Sequence, residues 1–226
     1  MVTKGKPEEF RGTLSPSTAA EGINAAFRNA RRLLDDAKLL FSEMRYPTAS
    51  SIAALAIEEA GKSSIIRSIV LAGDAPEVSK EWKRYRDHRS KNGAWILPSL
   101  AKDGGRYLKD FSSVVDRNGE HTVLLNSVKQ LGLYTDCYGN SHWSEPEKVI
   151  DRELAGQLIH TAELLCIKRD VTVREIELWI EYIQPVNGTS KMAQGLIQWA
   201  EKMHEEGLSE TTPEDFMQFV LGEWSS

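Results

Sequence analysis

The chain has 226 residues, a formal net charge of −5, and 41% hydrophobic against 27% charged residues. That balance excludes a disordered chain, and no run approaches the roughly 18 consecutive apolar residues of a membrane span. Mild acidity argues against a constitutive nucleic-acid binder with a basic surface. Two cysteines, Cys137 and Cys166, are too few for a disulfide framework or a four-ligand structural zinc site, so a reducing, cytoplasmic setting is the simple expectation.

Residues 1–16, rich in Gly, Pro, Lys and Thr, are predicted to be a flexible arm, and MVTKGKPEEF lacks the apolar centre of a secretory signal. From Ser17 a helical stripe begins: Ala20, Ile23, Phe27, Ala30, Leu34, Ala37, Phe41 and Met44 recur at three- and four-residue steps. Pro47 closes it and suits the first turn of a second helix, where its missing N–H costs nothing. There Ala49, Ile52, Ala53, Ala56, Ile57, Ala60, Ser64 and Ile65 form a narrow small-residue face, and Gly73-Asp74 with Pro76 ends the helix. A third, basic helix is predicted over 77–92. The stretch 95–108 is interrupted by Pro98 and Gly104-Gly105. After the turn signal Asp116-Arg117-Asn118-Gly119, residues 121–134 read as a helix and 136–146 as a loop. Residues 147–183 read as helix broken near 169–172, with Thr172 and Glu175 as a capping box. Met192, Leu196, Trp199 and Met203 mark another helix, and 209–224 a short helical tail. Sustained period-two alternation is absent. The expected fold class is all-α, a helical bundle over 17–206 with an acidic helical tail over 207–226.

Charge is unevenly spread. Nine basic residues stand against three acidic ones between Lys80 and Lys109, whereas seven acidic residues and one lysine follow from Glu201. A basic segment can engage phosphates, and an acidic tail anchored by Phe216, Phe219 and Trp224 can shield it; two independently solvated faces are the plainer alternative. Ala60-Gly61-Lys62-Ser63 keeps only the end of a phosphate-loop motif and lies on a helix. The five histidines show no metal-ligand spacing, so no metal or other cofactor is expected.

Two clusters carry potential chemistry. In Glu58-Glu59-Ala60-Gly61-Lys62, both carboxylates can reach the ammonium at three- and four-residue spacing. This is either an ordinary surface pair or, given the apolar flank Ile52-Ala53-Ala56-Ile57, a site where at least Glu59 meets a packed face and must be paired. In Lys83-Arg84-Tyr85-Arg86-Asp87-His88-Arg89-Ser90-Lys91, His88 and Lys91 share one helical face with Arg84. Surrounding cations favour a neutral imidazole able to act as general base, and arginine and lysine beside it can stabilise a phosphorane-like anion. A basic solvated helix with an incidental histidine is the alternative.

Taken in order, Ala30, Leu34, Asp36-Ala37 and Leu40, then Tyr46, then Glu58-Glu59-x-Gly61-Lys62, then His88-x-x-Lys91, then Leu133-Tyr134-x-Asp136 with Trp143 and Pro146, this sequence resembles the AbiV family of abortive-infection proteins within the HEPN superfamily. The resemblance spans about residues 20–160. It implies an HEPN-like helical bundle with additional C-terminal helices, often a homodimer, and a role in bacterial anti-phage defence through growth arrest, with a phage-encoded activator protein as a partner. Many HEPN proteins are metal-independent endoribonucleases with an R-x(4–6)-H signature. Here no arginine precedes any histidine at that spacing; Lys83 has it relative to His88 but lacks the bidentate fork. On this reading the catalytic set is His88, Lys91, Arg86 and Glu59, supported by Glu58, Lys62, Arg84, Tyr134 and Asp136. RNA is the expected substrate; Tyr138 and Trp143 are candidates to stack an unpaired base, with core packing the favoured role for Trp143. The alternative is a non-catalytic HEPN-like module that binds a phage or host protein, or RNA, and acts by occupancy.

Overall fold

A computed structural model describes residues 8–116 and 119–222, which leaves Trp224 and part of the 116–119 turn signal outside the described residues. The first helix, α1 (Pro16–Ser42), starts one residue before the expected one: the Ser15 hydroxyl accepts the Thr18 amide at 3.1 Å and Pro16 occupies the first turn. It ends before Met44, which adopts φ 59° and is exposed, so Met44 leaves the core stripe. Next come α2 (Tyr46–Leu71) and α3 (Ala75–Arg86), the latter capped by Asp74, whose carboxylate accepts the Glu77 amide at 2.8 Å. The basic helix predicted over 77–92 is cut in two. Asp87 is extended, and its carboxylate accepts both the amide (3.0 Å) and the hydroxyl (2.8 Å) of Ser90, which starts the short α4 (Arg89–Asn92).

A tight turn leads to α5 (Leu97–Lys102), then a 3-10 stretch (Leu108–Val115) and α6 (Glu120–Leu131). The segment read as a loop contains an antiparallel hairpin, β1 (Asp136–Tyr138) with β2 (His142–Ser144), paired Asp136 to Ser144 and Tyr138 to His142. Each strand has three residues, too short for an alternation pattern to declare itself. Then follow α7 (Pro146–Val149), α8 (Arg152–Leu165), α9 (Val173–Ile183), α10 (Met192–Glu205) and α11 (Pro213–Leu221). The Thr172–Glu175 capping box forms as predicted: Glu175 donates its amide to the Thr172 hydroxyl and accepts the Thr172 amide at 2.6 Å.

The bundle is built around α2. Its predicted narrow face understates the burial: Ser50, Ser51, Ala54, Glu58, Ile66, Ile69, Val70 and Leu71 are buried too. A helix buried on most sides serves neighbours on most sides, and α1, α3, α4, α6, α8 and α9 all pack on it. Small residues let those neighbours approach. A Cβ on Gly61 would stand 2.2 Å from the Lys91 carbonyl oxygen, so the glycine admits α4; one on Gly132 would stand 2.3 Å from the Ser51 hydroxyl, so the end of α6 presses on the start of α2.

The acidic tail docks through apolar side chains. Phe219 meets Phe111 of the 3-10 stretch (ring centroids 6.2 Å) and Phe216 meets Trp199 of α10 (6.1 Å). The carboxylates just before it, at the end of α10, pair locally: Glu206 takes Arg174 of α9 at 2.8 Å, and Lys202 takes Glu205 at 3.0 Å. Among the described residues no ion pair joins 201–222 to the basic segment 80–109. No helix among them is long and apolar enough to cross a membrane.

Candidate functional site

The centre of the site is a carboxylate that the bundle buries. Glu58 sits on the α2 face turned toward both α4 and α6, and is 3% exposed. One oxygen receives the Lys129 ammonium of α6 at 2.6 Å; the other lies 2.7 Å from Nδ1 of His88, just before α4. Lys129 is itself 5% exposed, while the His88 side chain is 59% exposed. The buried pair thus aims a solvent-facing imidazole. Because a carboxylate only accepts, the 2.7 Å contact places an imidazole proton on Nδ1, and Nε2 is the ring nitrogen not engaged by Glu58. The competing contact, Lys129 Nζ to the same Nδ1, is longer at 3.5 Å.

Local chemistry explains why these three meet. The Ser51 hydroxyl donates to the Lys129 carbonyl at 3.0 Å and so pins α6 against α2, and Gly61 lets the α4 backbone close on α2. The Asp87–Ser90 cap reverses the chain so that His88 faces Glu58 rather than continuing α3; hydrogen bonds from Ser90 and the charge of Arg89 outweigh the effect of burial and hold Asp87 below the usual carboxylate range.

Several expected partners are redistributed. Glu59, expected as the orienting carboxylate, pairs instead with Lys62 at 2.5 Å at an intermediate depth, and the fully buried member of the pair is Glu58. Their order is decided by which side of α2 faces α6. Lys62 also stands 5.3 Å over the Tyr85 ring. Lys91 is 8% exposed, with its ammonium within the field of Glu58, Glu59, Lys62 and Lys129; burial, helped by the two lysines, lowers it from the usual amine range. Arg84 pairs with Glu81 at 2.5 Å. Arg86 is drawn away: it stacks 5.2 Å over Trp82, pairs with Glu9 at 3.2 Å and donates to the Phe10 carbonyl at 2.7 Å. Of the segment expected as an arm, residues 8–15 therefore lie along α3, with Trp82 donating to the Gly12 carbonyl at 2.8 Å.

Tyr134 and Asp136 lie beyond α6, exposed, with Asp136 engaging its neighbour Cys137 and Ser144. Neither makes a hydrogen bond, ion pair or ring contact with Glu58, His88 or Lys91. Trp143, expected in the core, is 67% exposed, because the hairpin that carries it projects from the bundle; Tyr138 is exposed beside it. Lys129 was missed. Its signal is its position four residues after the buried Leu125, a core-facing place where a lysine demands a carboxylate.

The family model described as AbiV matches residues 18–167. The chain belongs to the AbiV family. The match runs from α1 to the end of α8 and contains Glu58, His88, Lys91 and Lys129, so the site lies within the part that defines this AbiV protein as a HEPN-type abortive-infection module. Helices α9 to α11 are additions beyond it. No curated protein and no solved structure matches this AbiV chain.

Proposed function

We propose that this AbiV protein is a metal-independent endoribonuclease of anti-phage defence, with His88 as its acid–base group. The observation that supports the reading is the exposed imidazole whose inner nitrogen is held by a buried, lysine-paired carboxylate. In such an arrangement Glu58 fixes the tautomer and steadies the imidazolium that forms, while Lys129 holds Glu58 in place. Nε2 takes the proton of a ribose 2′-OH, whose oxygen attacks the adjacent phosphorus. The P–O5′ bond breaks, a proton goes to the departing 5′ oxygen, and the products are a 2′,3′-cyclic phosphate and a 5′-OH. Cations of the α3–α4 segment meet the charge that develops on the phosphoryl oxygens. A second copy of the chain would add a second basic segment to the same strand.

The test is total RNA from cells expressing wild type or His88→Ala, displayed on a gel with growth scored in parallel. New RNA ends and arrest in wild type alone are expected. The second reading, a non-catalytic module acting by occupancy, is favoured by one observation: Arg86, the arginine nearest His88 on the N-terminal side, is spent on Glu9, Phe10 and Trp82. Arrest by both proteins with intact RNA would establish that reading instead.

A further inference from the structure

A second concavity lies beside His88 and is not part of the Glu58–His88–Lys129 arrangement. Between α2, α4, α6 and the 3-10 stretch there is a cleft of about 180 Å³ whose lining includes Gly61, Arg84, Arg89, Lys91, Gly93 and Asp116. Two glycines shape it. A Cβ at Gly93 would stand 2.0 Å from the Val114 carbonyl oxygen, and one at Gly61 2.2 Å from that of Lys91, so the walls close to backbone distance on either side of Lys91.

Three cations against one carboxylate make the cleft basic, and two of the cations have donors to spare. The Lys91 ammonium makes no hydrogen bond or ion pair although its residue is 92% buried, and Arg84 Nε is buried without an acceptor. A donor such as Arg84 Nε, whose Nη1 already holds Glu81, is costly to bury unless something accepts from it, and an anion is the partner that can take it together with the Lys91 and Arg89 cations. Size narrows the choice. The cleft is several times the ~30 Å³ of a water yet below the roughly 300 Å³ at which pockets for whole drug-sized ligands begin, so it holds one compact anionic group. It shares Arg84 and Ser90 with a groove of about 490 Å³ along α3 that Lys80 and Lys83 also line, which leaves room for the remainder of the molecule outside.

We propose that this cleft is a phosphate pocket, taking one phosphate group of an RNA strand or of a free nucleotide on Arg84, Arg89 and Lys91. The proposal deepens the ribonuclease reading and rests on it for RNA as a source; phosphate binding itself does not. Each cation supplies a charge-assisted bond, so losing one weakens binding about tenfold or more.

The experiment is calorimetric titration of the full chain carrying His88→Ala, to prevent turnover. The probes are inorganic phosphate and a short single-stranded oligoribonucleotide with and without a 5′-phosphate. Inorganic phosphate is expected to bind, with Lys91→Met and the surface variant Arg89→Ala each weakening it about tenfold. A preference for the 5′-phosphorylated strand that both variants abolish identifies a terminal phosphate. Equal binding of both strands, weakened by both variants, identifies an internal one. No binding of inorganic phosphate, or binding that both variants leave unchanged, overturns the pocket. Phosphate binding by a protein whose wild type cuts no RNA would leave the pocket standing and remove only the nuclease reading.

Discussion

Glu58 is the residue on which stability and the site meet. Its charge is compatible with burial because Lys129 lies 2.6 Å away; truncating it strands an ammonium that is 5% exposed. Glu58→Ala is expected to cost about 3–5 kcal/mol in urea unfolding, whereas Glu58→Met combined with Lys129→Met recovers most of that loss, since well-packed apolar residues replace buried pairs at little cost. The double variant should nevertheless be as silent as His88→Ala toward RNA, because no acceptor then holds Nδ1. A stable and fully active double variant would show that the pair does not serve the imidazole. Gly61 provides a purely steric counterpart. Gly61→Ala puts a Cβ 2.2 Å from a backbone oxygen that cannot swing aside, so α4 must shift, at an expected cost of about 1–3 kcal/mol in thermal unfolding.

At the scale of elements, the start of α9 shows how a cap becomes a pH-dependent contribution. Glu175 is 3% exposed; burial works to raise its pKa, but the Arg169 guanidinium at 2.8 Å and the Thr172 hydrogen bonds outweigh it and leave it lowered. A lowered carboxylate contributes stability that is fully present above the ordinary glutamate value of 4.5 and is lost as pH falls through the lower folded value. Urea midpoints followed from neutral pH downward should therefore fall for wild type and fall less for Glu175→Gln, which starts lower and lacks this titration. Parallel acid limbs would remove Glu175 from the account. The capping box was legible in the chain because Thr-x-x-Glu is local. Asp87-x-x-Ser90 is equally local, yet basic composition on both sides hid the break that turns His88 toward α2.

For the whole molecule, the question is what the acidic tail does. Charge counting alone suggests an electrostatic cover, but its docking runs through Phe216, Phe219, Trp199 and Phe111, while the α10 carboxylates that precede it, Glu205 and Glu206, pair with Lys202 and Arg174. Truncation after Gly207 is thus expected to lower the melting temperature by about 5 °C, with little dependence on salt, because apolar contact is not screened. RNA affinity measured beside it at low salt decides the cover: a rise on truncation would support shielding, and an unchanged value would mean that the tail only completes the bundle.

Helix content, the approximate positions of most helices and the capping box at Thr172 were determined by the sequence itself, since each depends on residues within a few positions of one another. The ordered motifs likewise pointed to the AbiV family and to His88 and the Glu58–Glu59 pair. What only the tertiary structure decided is which of two adjacent carboxylates is buried, that Lys129 from a helix some seventy residues away neutralises it, and that the arm diverts Arg86. Neighbouring positions on a helix face about 100° apart, so the choice between Glu58 and Glu59 belongs to whichever elements pack against α2, and no local pattern contains that information.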